Sequence, residues 1–403
     1  MAQVFPFPAW LAPADQAARI ATLPYDVMNR QEAAKMAADN PLSFLRVTRS
    51  EIELPDSVCA YDASVYERAA ANWQKFRREY LRQDAKPGFY VYSLIMQGRR
   101  QTGVVAAASV HDYNNDVIRK HERTRQDKED DRTRHISTIR AQTGAVFLTY
   151  RDSAEIDRIV NLSMQTEPLF DFRAEDGIGH TGWRVPEQHS QALQEAFAQV
   201  PLLYIADGHH RAASASRTCK KLLEQGEKGE IERFLSVIFP AGQLHIMPYN
   251  RVVLDLNGLS EEQFLTKLAQ VCRISDTDKT QPDEPGQVCL YFQKRWRLLD
   301  FKQKEAASPA EALDVSLLQN QVLSPILGIE NPRTSQRIDF IGGIRGTDEL
   351  IKLVDNGQAC LAFSMYPTTV NELMQIADRG EIMPPKSTWF EPKLRDGLFT
   401  HEI

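Results

Sequence analysis

The sequence contains few cysteines and none in a paired motif. Five cysteines are scattered over 403 residues, and the closest two, Cys272 and Cys289, are separated by sixteen residues. This spacing excludes a zinc ribbon and a secreted disulfide scaffold, and it is typical of reduced thiols. We therefore expect a cytoplasmic protein.

Long apolar runs are also missing. Runs such as Ala145–Leu148 and Leu235–Phe239 are far shorter than the roughly 20 residues that a membrane-spanning helix needs. The first residues, MAQVFPFPAW, lack the basic segment of a signal peptide. We expect a soluble protein with no membrane partner.

The chain has no excess of basic residues. Lys and Arg number 48 against 54 Asp and Glu, so the formal net charge is −6. Proteins that follow nucleic-acid phosphates are usually basic, and this balance argues against that class. The motifs GxxxxGK[ST], HExxH and GxSxG are absent, and no GxGxxG leads from a strand directly into a helix. A standard P-loop or Rossmann site therefore has no support.

Hydrophobic spacing predicts an α/β protein. Residues 61–83 carry aromatic and small apolar side chains three and four positions apart, which predicts an amphipathic helix. Residues 44–48 (FLRVT) predict a short strand, and residues 89–110 predict a hairpin that turns at QGRR. The length predicts two or three domains. We expect one portion over residues 1–245 and a second α/β portion over residues 246–403.

The segment IADGHHR carries the best candidate for chemistry. An apolar strand runs into Asp207 and Gly208 and then directly into an Ala/Ser-rich helix. Such a helix N-terminus offers unpaired N–H groups to an anion, and Arg211 adds a fork of donors for phosphate oxygens. Asp207 would cap the helix or hold a ribose hydroxyl or a magnesium ion. The alternative is a capped helix on which His209 and His210 are polar surface residues.

A second candidate is the segment KHERT, which contains Lys120, His121 and Glu122. A carboxylate beside a histidine is a workable general base for a hydroxyl group. The alternative is a solvated, salt-bridged helix, because residues 119–134 mix acids and bases.

Six short motifs occur in a characteristic order. They are PYDV (24–27), NPLSFLRVTRSE (40–51), KHERT (120–124), Asp131-Arg132, IADGHHR (205–211) and MPPKSTWFEPK (383–393). This order resembles the bacterial and archaeal family of the domain of unknown function 1015 over essentially the whole chain.

The resemblance implies a ParB/sulfiredoxin-like nucleotide-binding core. In that fold a strand–turn–helix with the sequence GxxR receives nucleotide phosphates, and Gly208–Arg211 match it. Relatives in the superfamily include free L-serine kinases, which make O-phosphoserine from serine with ADP or ATP. Their His-Glu pair and DGHxR motif are similar to His121-Glu122 and to Asp207–Arg211.

The residues and the resemblance together predict a small-molecule kinase. It would move a phosphoryl group between an adenine nucleotide, ADP or ATP with Mg²⁺, and free serine or a serine-like hydroxyl, in either direction. Glu122 would be the general base, and His121 its orienting partner or a phosphate contact. The nucleotide phosphates would be held by Asp207, Gly208, His209, His210 and Arg211. Weaker candidates for substrate binding are Arg132, Lys386, Ser387 and Thr388.

Two other classes stay open at this point. One is a nucleotide-binding regulatory protein of ParB-like type that turns over no metabolite. The other is a nucleic-acid-associated protein that uses residues 119–134. The interleaved acids of that segment argue against it, because a phosphate-tracking patch needs uncompensated Lys and Arg.

Overall fold

The computed structural model describes residues 1–303 and 306–403. The chain forms two compact units, one of residues 1–244 with 392–403 and one of residues 245–391. The sequence placed residues 392–403 in the C-terminal portion, and the structure places them in the first unit.

The described part of residues 1–244 contains twelve strands and nine α-helices. The described strands are β1 (Val4–Phe5), β2 (Trp10–Leu11), β3 (Arg82–Gln83), β4 (Tyr90–Met96), β5 (Arg99–Ser109), β6 (Ile118–Arg119), β7 (Ala141–Gln142), β8 (Val146–Tyr150), β9 (Phe170–Arg173), β10 (Gly179–Arg184), β11 (Leu203–Asp207) and β12 (Arg233–Pro240). The described α-helices are α1 (Ala17–Ile20), α2 (Arg30–Ala37), α3 (Leu45–Thr48), α4 (Ala63–Glu79), α5 (Val110–Asn114), α6 (Gln126–Ile139), α7 (Ala154–Ser163), α8 (Glu187–Phe197) and α9 (His209–Glu224). A 3₁₀ turn at Tyr25–Val27 carries the PYDV motif.

The rest of the described chain is also mixed. Its strands are β13 (Ile246–Met247), β14 (Tyr249–Val253), β15 (Cys272–Asp276), β16 (Gln287–Phe292), β17 (Arg295–Phe301), β18 (Ile338–Gly342), β19 (Leu361–Met365), β20 (Trp389–Phe390) and β21 (Phe399–Glu402). Its α-helices are α10 (Glu261–Val271), α11 (Pro309–Ala312), α12 (Asp314–Leu318), α13 (Asp348–Asp355) and α14 (Val370–Asp378). The protein is therefore a mixed α/β protein with several sheets.

The main sheet of the first unit has the strand order β6-β11-β8-β12-β5-β4-β10-β9. The short strand β1 pairs with the C-terminal end of β5. Two pairs in it are parallel, β6 with β11 and β8 with β12. Because β6 and β11 run in the same direction, the residues that follow them emerge at the same edge of the sheet. That edge brings the KHERT segment beside the DGHHR segment.

A smaller sheet explains why the chain end belongs to the first unit. Its order is β3-β2-β21-β7, so β21 lies between two strands from the N-terminal half of the chain. Trp10 pairs with Thr400, and Gln142 pairs with His401. Residues 392–403 are therefore held by backbone hydrogen bonds to that unit.

The second unit is built on an antiparallel sheet with the order β15-β17-β16-β19-β14-β18, and β13 pairs with β20. Its helix α13 packs on a core that contains Val252, Cys289 and Leu350.

Three local predictions can be compared with the structure. The amphipathic helix is confirmed as α4, and the hairpin is confirmed as β4 and β5. The strand at residues 44–48 is wrong, because Leu45–Thr48 form α3. Phe44 packs edge-to-face on Phe76 of α4 at 5.6 Å, so tertiary contacts override the β preference of this short apolar run.

Among the residues that the structure describes, no helix is both long enough and apolar enough to cross a membrane.

Candidate functional site

The candidate site starts where β11 meets α9. The pairing of β11 with β8 is irregular between Ile205 and Asp207, which bends the strand just before the turn. Gly208 follows with φ +91°, a left-handed conformation that favours glycine, and it is the N-cap of α9. No side chain caps this helix, so the first N–H groups of α9 stay available to an anion.

Asp207 does not cap the helix. One of its carboxylate oxygens accepts the N–H of Gly208 at 2.8 Å, and the other accepts the ammonium of Lys393 at 2.8 Å. Burial raises the pKa of this carboxyl group, but Lys393 and Arg211 outweigh burial, and the pKa lies well below its usual value. Asp207 is therefore ionised and fixes Lys393 beside the turn.

Lys393 is a site residue that the sequence analysis missed. It is the last residue of the MPPKSTWFEPK motif, whose predicted site residues were Lys386, Ser387 and Thr388. Its ion pair with Asp207 spans 186 positions of the chain. The sequence indicated this pairing only through the occurrence of IADGHHR and MPPKSTWFEPK in the same family-like order of motifs.

The two histidines of DGHHR hold the KHERT loop in place. The ring Nε2 of His209 accepts the N–H of His121 at 3.5 Å, and the ring Nε2 of His210 accepts the N–H of Arg125 at 3.0 Å. Burial lowers the pKa of both rings, that of His209 strongly. Neutral rings with an acceptor nitrogen are what these bonds require. The interpretation of both residues as surface histidines is therefore wrong.

His121 is buried against His209, with ring centres 4.4 Å apart and planes perpendicular. Burial lowers its pKa to about 4, so the ring is neutral at neutral pH. The carbonyl of Ile205 faces the ring, but within the described chain neither ring nitrogen has a hydrogen bond of ordinary geometry. Glu122 follows at a half-buried bend between β6 and α6.

The guanidinium of Arg211 already binds other protein groups and is not free for a ligand at the Gly208 turn. Its Nη1 donates to the carbonyl of Ala145 at 2.8 Å, and its Nη2 donates to Asp26 at 3.1 Å. Its guanidinium also lies 5.6 Å from the ring centre of Tyr25. Two of its three nitrogens are thus already used, one on Ala145 just before β8 and one on Asp26 of the PYDV turn. Its Nε is buried without a partner in the described structure.

Arg132 is on the other side of the same tyrosine. Its guanidinium lies 4.1 Å from the ring centre of Tyr25, and its Nε donates to Asp131 at 2.8 Å. The hydroxyl of Tyr66 donates to the same carboxylate at 2.8 Å. The structure therefore brings Arg132 together with Arg211 around Tyr25. We call Tyr25, Asp26, Asp131, Arg132, Arg211 and Asp396 the charge cluster.

The remaining predicted residues, Lys386, Ser387 and Thr388, lie in the second unit. The hydroxyl of Ser387 donates to the carbonyl of Pro384 at 2.7 Å, and the carbonyl of Lys386 accepts from Arg251 at 3.0 Å. Lys386 itself has φ +60°. These contacts belong to a tight turn of that unit.

The described residues include no group of three or more His, Cys, Asp or Glu side chains that could hold a metal ion. Both oxygens of Asp207 are already bonded. Within the described residues there is therefore no protein cage for Mg²⁺, which usually binds through substrate phosphates and one or two carboxylates.

Comparisons with solved structures give several distant similarities. A conserved hypothetical protein from Pyrococcus furiosus is 13% identical, covering 75% of this chain and 94% of that chain with a TM-score of 0.37. A free serine kinase in complex with AMP is 13% identical, covering 73% and 91% with a TM-score of 0.37. C-terminally truncated SbnI from Staphylococcus aureus is 14% identical, covering 72% and 85% with a TM-score of 0.39.

No curated protein matches the chain. A family model matches residues 4–316, which is most of the chain and includes the turn and the loop described above. The family is described as a protein of unknown function, DUF1015. This chain belongs to that family.

Proposed function

We propose that the protein is a small-molecule kinase. It would move a phosphoryl group between an adenine nucleotide and the hydroxyl of free serine or a serine-like compound, in either direction. In this proposal the first unit, residues 1–244 with 392–403, is a nucleotide-binding portion of ParB/sulfiredoxin-like type. The observation that carries the proposal is the uncapped start of α9 at Gly208, tied through two histidine rings to the loop that carries Glu122.

The start of α9 meets the requirements of a phosphate site. A Cβ added at Gly208 would lie 3.5 Å from the Val146 backbone and 3.6 Å from the Arg211 side chain, besides needing an unfavourable φ. The backbone N–H groups of His209 and His210 would bind phosphate oxygens at the positive end of the helix dipole. Lys393, held by Asp207, would supply the positive charge that the sequence analysis assigned to Arg211.

Glu122 would act as the general base. The serine oxygen forms a bond to phosphorus as the bond between that phosphorus and the nucleotide's bridging oxygen breaks, and the hydroxyl proton goes to the Glu122 carboxylate. In the reverse direction Glu122 returns the proton. His121, buried and neutral beside His209, would position the loop rather than carry charge.

Magnesium enters this proposal only with the nucleotide. When bound to the phosphates it would neutralise their charge. Since both oxygens of Asp207 are occupied, we assign no residue of this chain as its ligand and derive no step through it.

The nucleic-acid alternative has less support. Several basic residues near the KHERT segment are in ion pairs: Lys120 with Asp116, Arg125 with Asp127, and Arg132 with Asp131. A phosphate-tracking surface needs such charges uncompensated. The regulatory alternative uses the same phosphate site without turnover, and the experiment below separates it from the kinase.

The test is phosphorus NMR of the purified protein with ADP or ATP, Mg²⁺ and L-serine. We expect a phosphomonoester signal, and in the reverse reaction its loss from O-phosphoserine when nucleotide is added. Glu122→Gln should abolish the signal, and Asp130→Asn, a change at an exposed acid of the same segment, should retain it. Nucleotide binding without any phosphoester would support the regulatory alternative and overturn the kinase.

A further inference from the structure

A cavity in the first unit lies beside the charge cluster. It is lined by Tyr25, Arg132, Gly144, Arg211 and Asp396, by the polar residues His135, Gln142 and Thr143, and by apolar side chains. Its volume is about 30 Å³, and the surrounding empty space, which includes solvent at its mouth, is about 420 Å³. The enclosed part exceeds the 10–15 Å³ or so that one water molecule needs. The enclosed part therefore has room for one or two water molecules, and a larger ligand would also occupy the space at its mouth.

Two buried polar atoms of the cavity have no partner in the described structure. They are Nε of Arg211, whose residue is 9% exposed, and Oδ2 of Asp396, whose residue is 2% exposed. Buried polar atoms are almost always hydrogen-bonded, because an unpaired one loses its bonds to water without compensation. A donor and an acceptor are thus left open in the same cavity.

The unpaired Nε of Arg211 and the second oxygen of the Asp396 carboxylate, Oδ1, both approach Gly144. A Cβ added at Gly144 would lie 3.1 Å from Oδ1 of Asp396 and 3.4 Å from Nε of Arg211. The missing side chain of Gly144 therefore keeps open a space that an acid and a guanidinium both border. A ligand there meets a carboxylate and an N–H donor within a few ångströms of each other.

The charges of the cavity are unbalanced. Arg211 is paired with Asp26, and Arg132 is paired with Asp131. Asp396 has no ion-pair partner among the residues that the structure describes. Burial raises its pKa to about 7, with Asp26 adding to the effect and Arg211 opposing it. A ligand cation next to Asp396 would compensate this carboxylate, since buried charges are normally paired.

We propose that this cavity binds the α-ammonium and α-carboxylate groups of an amino-acid substrate. The ammonium group would donate to Asp396, and one carboxylate oxygen would accept from Nε of Arg211, with Arg132 adding positive charge. The inference rests on the proposed function, because it names the substrate class of the same site. Arg211 links the two places, since its Cδ and Nη1 lie 3.6 and 3.7 Å from the Cβ position of Gly208.

Calorimetric titration with three small molecules tests the proposal. L-serine carries both groups, 3-hydroxypropionate lacks the ammonium group, and ethanolamine lacks the carboxylate. We expect L-serine to bind at least about tenfold more tightly than the other two, since each of them lacks one charge-assisted hydrogen bond. Equal affinity for L-serine and 3-hydroxypropionate would overturn the proposal, as would failure of L-serine to bind with and without ADP, because the cavity would then hold only water.

Substitutions in the cavity test whether L-serine binds there. Asp396→Asn should weaken L-serine about tenfold and leave 3-hydroxypropionate unchanged. Gly144→Ala fills the space and should weaken all three ligands. The matched controls are Asp112→Asn, which alters another buried aspartate, and Gly179→Ala, whose Cβ meets Ile95 at an ordinary 3.5 Å. Both controls should bind L-serine as the unaltered protein does. Unchanged L-serine affinity in folded Gly144→Ala would remove the site from this cavity.

The proposed function can fail separately. L-serine that binds here without any phosphoester in the NMR experiment would leave the cavity assigned and reject the kinase. Phosphorylation of serine with an unchanged KM in both Asp396→Asn and Gly144→Ala would keep the kinase and reject the cavity.

Discussion

Two polar clusters lie in the first unit: the histidine junction, formed by His121, His209 and His210, and the charge cluster. The first holds its side chains neutral, and the second holds them ionised. At the junction of β11 and α9, His121 and His209 are buried and His210 is half-buried. All three are neutral rings, and two of them accept backbone N–H groups. In the charge cluster, Arg132 and Arg211 stay ionised because carboxylates and a tyrosine ring surround them. The histidine junction holds the backbone of the KHERT loop against α9. The charge cluster contains a carboxylate, Asp396, with no ion-pair partner in the described structure.

This difference indicates a division of labour. Neutral rings would only weakly repel or attract a nucleotide, so the junction can define where the phosphates and Glu122 meet without competing for them. The charge cluster keeps a donor and an acceptor unsatisfied, which is suited to a zwitterionic ligand. Substitutions in the junction should therefore affect turnover and nucleotide affinity, and substitutions in the charge cluster should affect stability and amino-acid affinity.

The largest effect is expected on the junction side, from Glu122→Gln. Glutamine keeps the size and hydrogen bonding of the side chain but cannot accept the proton. Turnover should fall by about two orders of magnitude or more, within the usual contribution of a general base. Nucleotide affinity, measured by calorimetry, should stay nearly constant. Normal turnover would reject the base, and complete loss of nucleotide binding would assign Glu122 to the fold.

The next effect concerns Gly208→Val, which breaks the junction at the turn itself. A β-branched residue at φ +91° is strained, and its side chain would occupy the space near Val146 and Arg211. ADP or ATP affinity should fall about tenfold or more, which corresponds to about 1.4 kcal/mol.

The matched control is Gly226→Val. Gly226 has a similar φ of +85°, and nothing lies within 4 Å of its Cβ position, so the strain is comparable without the turn. Both variants should lose similar stability in urea denaturation, and only Gly208→Val should lose nucleotide affinity. Equal nucleotide affinity in the two folded variants would refute the phosphate site.

Arg211→Lys breaks the charge cluster instead. Lysine keeps the charge but cannot donate in two directions, so it loses either Ala145 or Asp26. We expect a loss of about 1–2 kcal/mol in the free energy of unfolding and weaker L-serine binding, with a smaller effect on nucleotide affinity. Arg158→Lys, at an exposed pair with Glu155, should change neither. Full stability in Arg211→Lys would show that only the charge matters.

Sequence analysis predicted the local parts of the site well. The strand–turn–helix at Asp207–Arg211 follows from an apolar run, a glycine and a helix-forming segment, and all three are local signals. The pairing of KHERT with DGHHR depends on β6 and β11 being parallel neighbours, which no local pattern encodes.

The roles of individual polar residues were harder to predict. Arg211 was expected on phosphate, but Asp26, 185 positions away, already binds it. Lys393 and Asp396 act through contacts with residues far away in the chain, and their flanking sequence resembles an ordinary proline-rich tail. Lys386, Ser387 and Thr388 were weaker candidates for substrate binding, yet the Lys386 carbonyl and the Ser387 hydroxyl are used in contacts of their own unit. Long-range contacts decide which polar groups stay available.

The smallest effect is the one that compares the two clusters directly, through pH. The pKa of His121 is about 4 in the folded chain and about 6.5 when unfolded. Between these values the unfolded chain binds a proton that the folded chain does not, so stability is lost as pH falls from 6.5 toward 4. Asp396 has the opposite sign. Its pKa of about 7 lies above the unfolded value of roughly 3.9, so its contribution to stability is lost as pH rises through that window.

Urea denaturation at several pH values between 4.5 and 6.5 separates the two contributions. His121→Asn should make the dependence of stability on pH shallower by about 1 kcal/mol per pH unit, somewhat less than the 1.4 kcal/mol or so that one full proton gives. Asp396→Asn should make it steeper, because the opposing carboxyl is gone. His111→Asn, at an exposed histidine, should leave the slope unchanged. If His121→Asn also leaves the slope unchanged, its ring accepts a proton as easily in the folded chain as in water, and the junction is not the dry, neutral cluster described above.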